Sequence, residues 1–250
     1  MRSLTILLLL LCAAATAHAH EPRALQFSYE IRLRDVAIGR TAMTVEPRKL
    51  SDGKMVRVLH ADGEALELAK AFYNGRASYT TWVNEQWQPL AAKWRIQFTQ
   101  RSYDVDAQFT EAQVHAVVVK PGEQPVIVEQ ATPRHPLDLV SFLPWLMQQK
   151  LKLGRQFHAQ VYTGLRVCEV DVAVKDPETI LVPLGERKAT VMQLEVTKCK
   201  KDRKITMWLD SKDFVPHRMM VEDAFIGWVE VVLMKVTTVK PRFAELPKPL

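Results

Sequence analysis

The feature that most constrains this chain is an apolar repeat with a period of two. In "ALQFSYEIRL", Leu25, Phe27, Tyr29, Ile31 and Leu33 alternate with Gln26, Ser28, Glu30 and Arg32, and Arg34 continues the polar set. Successive side chains of an extended strand point to opposite faces. The alternation therefore marks a strand with one buried and one solvated face, as antiparallel sheets carry. The same beat recurs in "KMVRVLHA", "RASYTTWV", "AAKWRIQFTQ", "DVDAQFTE", "QVHAVVVK" and "PVIVEQ". Asp52-Gly53, Asn74-Gly75 and Pro121-Gly122 supply turns between these runs. Gly39, after Asp35-Val36, opens "GRTAMTVE" and predicts a hairpin between the first two strands.

One interval breaks the beat. "HPLDLVSFLPWLMQQKLKLG" places Leu139, Val140, Phe142, Leu143, Leu146 and Met147 on one broad helical face. Asp138 can accept from free amides at its start, Gly154 is a natural stop, and Pro144 lacks an amide and should bend the middle. The prediction is one short helix over about 138–150. "EALELAKAFYNG" fits a helix and a strand equally. Alternation then returns in "QFHAQVYT", "LRVCEVDVAV", "ETILVP", "KATVMQLEVTKC", "KITMWL", "FVPHRMMVE" and "IGWVEVVLMKV", with turns at Asp176-Pro177, Gly185 and Lys200 to Lys204. Strands flank the helix on both sides and no linker composition intervenes, so a single β-rich domain is expected over 20–240, followed by a loose proline-rich tail at 241–250. So many strands must curl or close to protect their edges. The expected fold is all-β: a large curled antiparallel sheet, or an open or closed barrel, with the helix packed across it.

The amino-terminal residues read as an export leader. Arg2 provides the basic region, Leu4 to Cys12 the apolar core, and Ala17-His18-Ala19 a small-x-small cleavage site, predicting a signal peptide over 1–19 cut after Ala19. The apolar run falls short of the roughly 20 residues that span a bilayer. Lipidation at Cys12 fits poorly with the bulky Leu10-Leu11 before it. A periplasmic protein follows as the expectation. The formal charge is +6, and loss of Arg2 leaves +5. That mild excess suits anionic surfaces and peripheral membrane contact; its dispersion along the chain argues against nucleic acid.

Little in the chain points to catalysis. G-x-S-x-G, H-E-x-x-H, a glycine-rich phosphate loop and C-x-x-C are missing, and nine glycines leave few backbone cradles. In "ITMWLDSKDFVPHRM", Asp210, Asp213 and His217 fall close together, but "DSKD" has turn composition. The expectation is a strand-turn-strand unit with solvated aspartates, His217 as a surface or partly packed histidine, and Pro216 at an edge or a strand start. Cleavage after Ala19 would expose His20, whose amine and ring could chelate copper. His60, His115, His135, His158 and His217 are available as second ligands, yet none has a recognisable ligand neighbourhood, and moving the cut by one residue abolishes the site. No cofactor is expected. After export, Cys168 and Cys199 meet an oxidising compartment; a bridge between them and two isolated thiols both remain open.

Aromatic residues offer the remaining signal. Trp82, Trp87, Trp94, Trp145, Trp208 and Trp228 serve either as core packing or as the lining of an apolar cavity for a lipid or other amphipathic ligand. Arg95, Lys150, Lys152 and Arg155 would suit an anionic headgroup at its mouth, and equally a solvated face.

The chain from about Leu25 to Met234 resembles a family of exported bacterial proteins, domain of unknown function 3108. The resemblance rests on "YEIRLRDVAIG", "VNEQWQPL", "DLVSFLPWLMQQKLKLG", "VPLGERKATVMQLEV" and "MWLDSKDFVPHRM", in that order. It implies an envelope-located, mainly antiparallel β fold and supplies no activity, so no catalytic residue carries over. The expected role is non-catalytic binding of a hydrophobic or amphipathic envelope ligand. The alternative is an interaction module that docks on an envelope protein through its sheet edges.

Overall fold

The computed structural model describes residues 24–50, 53–70, 74–99, 101–199, 202–210, 215–223, 227–241 and 246. The chain forms β1 (Ala24–Leu33), β2 (Val36–Lys49), β3 (Met55–Ala65), a helical turn α1 (Glu67–Lys70), β4 (Gly75–Val83), β5 (Pro89–Phe98), β6 (Arg101–Phe109), β7 (Gln113–Val119) and β8 (Val126–Ala131). It continues with β9 (Leu137–Asp138), α2 (Phe142–Met147), β10 (Gln156–Tyr162), β11 (Val167–Val182), β12 (Gly185–Thr197), β13 (Arg203–Asp210), β14 (Pro216–Asp223) and β15 (Gly227–Val239). All 15 strands join one sheet in the order β8-β7-β6-β5-β4-β3-β2-β1-β15-β14-β13-β12-β11-β10-β9.

Strands consecutive in sequence pair with each other, except β8 and β9, which stand at opposite ends of the order; β1 also pairs with β15 and so brings the two ends of the fold together in mid-sheet. Every pairing is antiparallel except the short parallel contact of β9 with β10. Arg34 and Asp35 both have positive φ, 48° and 65°, and make the tight β1–β2 turn. Two left-handed residues match the twist of the flanking strands. The hairpin therefore turns before Gly39, which lies inside β2.

The alternating side chains give the sheet one apolar inner face. Trp94 pairs with Val105 and Val105 with Val118, and these join Ala116 and Tyr162 in a buried cluster. Farther round, Val172, Met192, Met207 and Leu209 form a second buried cluster beneath α2. Phe27, Tyr29 and Leu233 bridge mid-sheet. The opposite face of β5 and β6 carries the ion pairs Lys93–Asp106 and Arg95–Asp104, each at 3.6 Å. A barrel facing lipid would present an apolar band there instead. The sheet is curled and does not close. At its seam Gln130 Oε1 accepts from the Val167 amide at 2.9 Å, so a side chain ties β8 to the start of β11 where no ladder runs.

Several local expectations change. The helix is shorter than 138–150: it begins at Phe142, so Pro144 falls in the first turn, where a missing amide has no partner to lose. Gly154, with φ 77°, closes a later turn. "RVCEVDVAV" and "ETILVP" form one strand, β11, and Asp176-Pro177 occupies an irregularity between Lys175 and Glu178 instead of a turn. A bulge absorbs the proline without ending the strand. Pro216 opens β14, an interior strand. "EALELAKAFYNG" splits into the end of β3 and α1.

Candidate functional site

A strap crosses the inside of the curl from β8 to β10, and α2 is its middle. Asp138 fixes its entry. One carboxylate oxygen, Oδ1, accepts from the amides of Val140 at 3.1 Å and Ser141 at 2.6 Å, while the Asp138 amide donates to Ser141 Oγ at 2.9 Å. The other, Oδ2, accepts from the Thr81 hydroxyl on β4 at 2.5 Å. Asp138 therefore caps the turn leading into α2, with Ser141 at the N-cap making no side-chain cap bond. Burial raises the Asp138 pKa, opposed by the hydrogen bonds from Thr81, Ser141 and Val140.

A helix of six residues is not stable on its own. Packing holds α2: Phe142 and Leu146 join the buried cluster of β10–β13, and Pro144 is buried beside them. The other side of α2 is only half covered. Leu143, Trp145, Met147, Leu151 and Phe157 pack against that cluster while keeping part of their surface open. Trp145 stacks on Phe142 with ring centroids 6.2 Å apart. Immediately after α2, Lys150, Lys152 and Arg155 are exposed, and the Arg155 guanidinium lies 5.0 Å from the Phe157 ring centroid. The result is a half-covered apolar surface with a basic rim, termed the α2 mouth. Arg95 is elsewhere, paired with Asp104 on the outer face.

Of the six tryptophans, Trp145 alone stands at this mouth. Trp94 is buried with Tyr162, at 5.6 Å between centroids, and with Tyr79 at 5.5 Å. Trp82 is buried with Val58 and Ala91. Trp87 packs near Leu59 and Val140 with Arg57 4.7 Å above its ring. Trp208 Nε1 donates to Glu178 Oε2 at 2.8 Å, and Arg218 covers its ring at 5.0 Å. Trp228 is 49% exposed on β15. Trp82, Trp87, Trp94, Trp145 and Trp208 fall in or against separate buried clusters.

Cys168 and Cys199 are joined by a disulfide, with Cα atoms 5.1 Å apart. It ties β11 to the residues just beyond β12. Two readings of the "DSKD" region are corrected. His217 is buried, only 5% exposed, at an irregularity of the β13–β14 ladder where Leu209 pairs with Pro216 and Trp208 with Arg218. Asp210 is also largely covered, with Oδ2 3.5 Å from His217 Nε2. Asp213 lies outside the described residues, as do residues 1–19, where a leader is expected, and His20. The other histidines are dispersed: His60 faces Thr80, His115 faces Glu129, His135 faces the Pro136 carbonyl and His158 faces Asp171. Among the described residues no three His, Cys, Asp or Glu side chains converge to hold a metal.

Thr81 and Gln130 are the positioning residues that periodicity could not reveal. Each makes its contact through a fold-level approach, over 57 and 37 residues of chain. Nothing local in the sequence marks either one.

The profile of the family described as "Protein of unknown function (DUF3108)" matches residues 28–234. No curated protein matches the chain. Among solved structures, the chain is similar to a β-barrel-like protein of domain of unknown function DUF1849 from Brucella abortus, with a TM-score of 0.58 and 10% identity, covering 88% of this chain and 100% of that one. This likeness bears on the fold alone. A protein of YmcC-like fold from Bacteroides fragilis aligns with a TM-score of 0.36 and 9% identity over 85% of this chain and 95% of its own, too slight to bear on either fold or function.

Proposed function

We propose, taking as premise that the chain belongs to the DUF3108 family of proteins of unknown function, that it is an exported, non-catalytic protein of the cell envelope that binds a hydrophobic or amphipathic molecule at the α2 mouth. The observation that carries this reading is the two-sidedness of α2. Its inner side chains complete a buried cluster, while Trp145, Met147 and Leu151 stay half open beside Phe157. Displacing this short, packing-held helix would uncover the apolar inner face of β10–β13, which the apolar part of a ligand would cover again. The exposed cations after α2 suit the polar end of an amphipathic ligand. Asp138, the carboxylate nearest to α2 in sequence, already has its oxygens occupied by Thr81, Val140 and Ser141, which supports binding over catalysis. The leader-like sequence over 1–19 supports export.

Native mass spectrometry of protein taken from a periplasmic extract tests this reading. It predicts a population heavier than the mature chain by the mass of a lipid-like molecule, released by mild organic solvent. Only the bare chain mass, at any collision energy, would count against it.

A second reading, docking of another envelope protein by strand addition, draws support from β8. That strand ends the sheet, and its Val126 and Ile127 are exposed, Ile127 at 66%. An open edge with β-branched side chains can accept an added strand. Cross-linking from a residue 127 probe would capture a partner if this role operates.

A further inference from the structure

We infer that the turn from Lys150 to Arg155 is a membrane-docking element that seats the α2 mouth on an anionic phospholipid bilayer. The turn is built to protrude. Lys152 N donates to Lys150 O at 2.9 Å and Arg155 N to Lys152 O at 3.0 Å, while Gly154 and Arg155 exchange backbone hydrogen bonds with Val174 of β11, each at 3.0 Å. Arg155 is steadied further by its contact with the Lys150 carbonyl at 3.4 Å. At the tip Leu153 is 63% exposed, among the most exposed large apolar residues of the chain. Lys150, Lys152 and Arg155 surround it, all exposed, and no acidic residue occurs from Gln148 to Phe157.

That combination selects the partner by its chemistry. An apolar tip ringed by cations, with no carboxylate in the segment, complements a surface offering phosphate charge above a hydrocarbon layer. Juxtamembrane cations contribute about 1 kcal/mol each near such a surface, and an inserted leucine adds apolar burial. A turn pinned at Val174 presents the tip without the ordering cost that a free loop would meet. Half-buried Leu151 and Phe157 continue the apolar surface from the tip to the mouth beside α2. Docked this way, the opening through which a ligand would pass faces the bilayer. The orientation rests on the ligand reading above; the docking itself does not.

Flotation with vesicles tests the inference on the full mature chain. Neutral phosphatidylcholine vesicles are compared with vesicles containing phosphatidylglycerol at low salt. The wild type should float with the anionic vesicles and detach as salt is raised. The Lys150→Gln/Lys152→Gln double variant should bind about 30-fold more weakly, from the loss of two surface cations. Leu153→Ser should bind several-fold more weakly at every salt concentration. All three residues are exposed, so the variants should keep the wild-type thermal midpoint. No flotation of the wild type, equal flotation with neutral vesicles, or variants that float as the wild type does would each overturn the proposal. Native mass spectra of the Leu153→Ser variant separate the two readings, because Leu153 stands outside the proposed ligand site. Retained ligand with lost flotation confines the effect to docking, and flotation by a chain that never carries ligand leaves docking standing while the ligand reading fails.

Discussion

Thr81 on β4 donates its hydroxyl hydrogen to Asp138 on the strap at 2.5 Å, joining opposite walls of the curled sheet. Because Asp138 also receives the Val140 and Ser141 amides, Asp138→Ala would strand three buried donors. A cost of about 3 kcal/mol is expected, read from urea unfolding.

The same carboxyl should make stability depend on pH with a defined sign. Burial raises the Asp138 pKa above its ordinary 3.8, so the folded chain holds the proton more tightly than the unfolded chain does. Its contribution is full below 3.8, declines as pH climbs toward the raised value, and is flat above it. Asp138→Asn lacks this titration. The variant should therefore gain on the wild type as pH is raised from about 4 to neutrality. A constant difference across that range would contradict the assignment.

Gly164 lies against Trp94. Its φ is +90°, and a Cβ there would stand 2.8 Å from Trp94 Cζ3. Gly164→Ala should cost about 2–3 kcal/mol, combining an unfavourable backbone region with a clash against the buried ring. Adding Trp94→Leu should relieve the steric part and leave about 1 kcal/mol of backbone strain. A double-mutant cycle measures the division.

The Cys168–Cys199 disulfide closes a loop of sequence separation 31. On chain-entropy grounds its removal by Cys199→Ser should lower stability by about 3–4 kcal/mol. Denaturation with and without reductant checks this: reductant should bring the wild type to the level of the variant and leave the variant unmoved.

The period of two foretold the strands and much of their buried face, since Phe27, Trp94 and Val172 point as their neighbours' polarity requires, although Leu25 is 46% exposed and Trp208 is buried beside Met207. The extent of α2 was not legible. The apolar run across 139–147 satisfies a helix, but Asp138 spends its oxygens on a preceding turn and postpones the start to Phe142. Asp176-Pro177 misled for a related reason: a bulge and a turn share the same composition, and only the partner strand decides between them. The full burial of His217 was not legible because it arises at an irregularity of the β13–β14 ladder that only the partner strand defines. The half-open mouth was visible only in part. Trp145, Lys150, Lys152 and Arg155 were apparent as chemistry, but their separation from the other five tryptophans is a property of the curl.

Fluorescence titration with a brominated fatty acid most directly tests ligand binding at the α2 mouth. Bromine quenches an indole in contact with it, and Trp145 stands half exposed at the proposed entrance. The wild type should show saturable quenching, and Trp145→Phe should lose that saturable component while keeping its unfolding midpoint. Absence of saturable quenching in the wild type, or an identical curve for the variant, would contradict binding at this site.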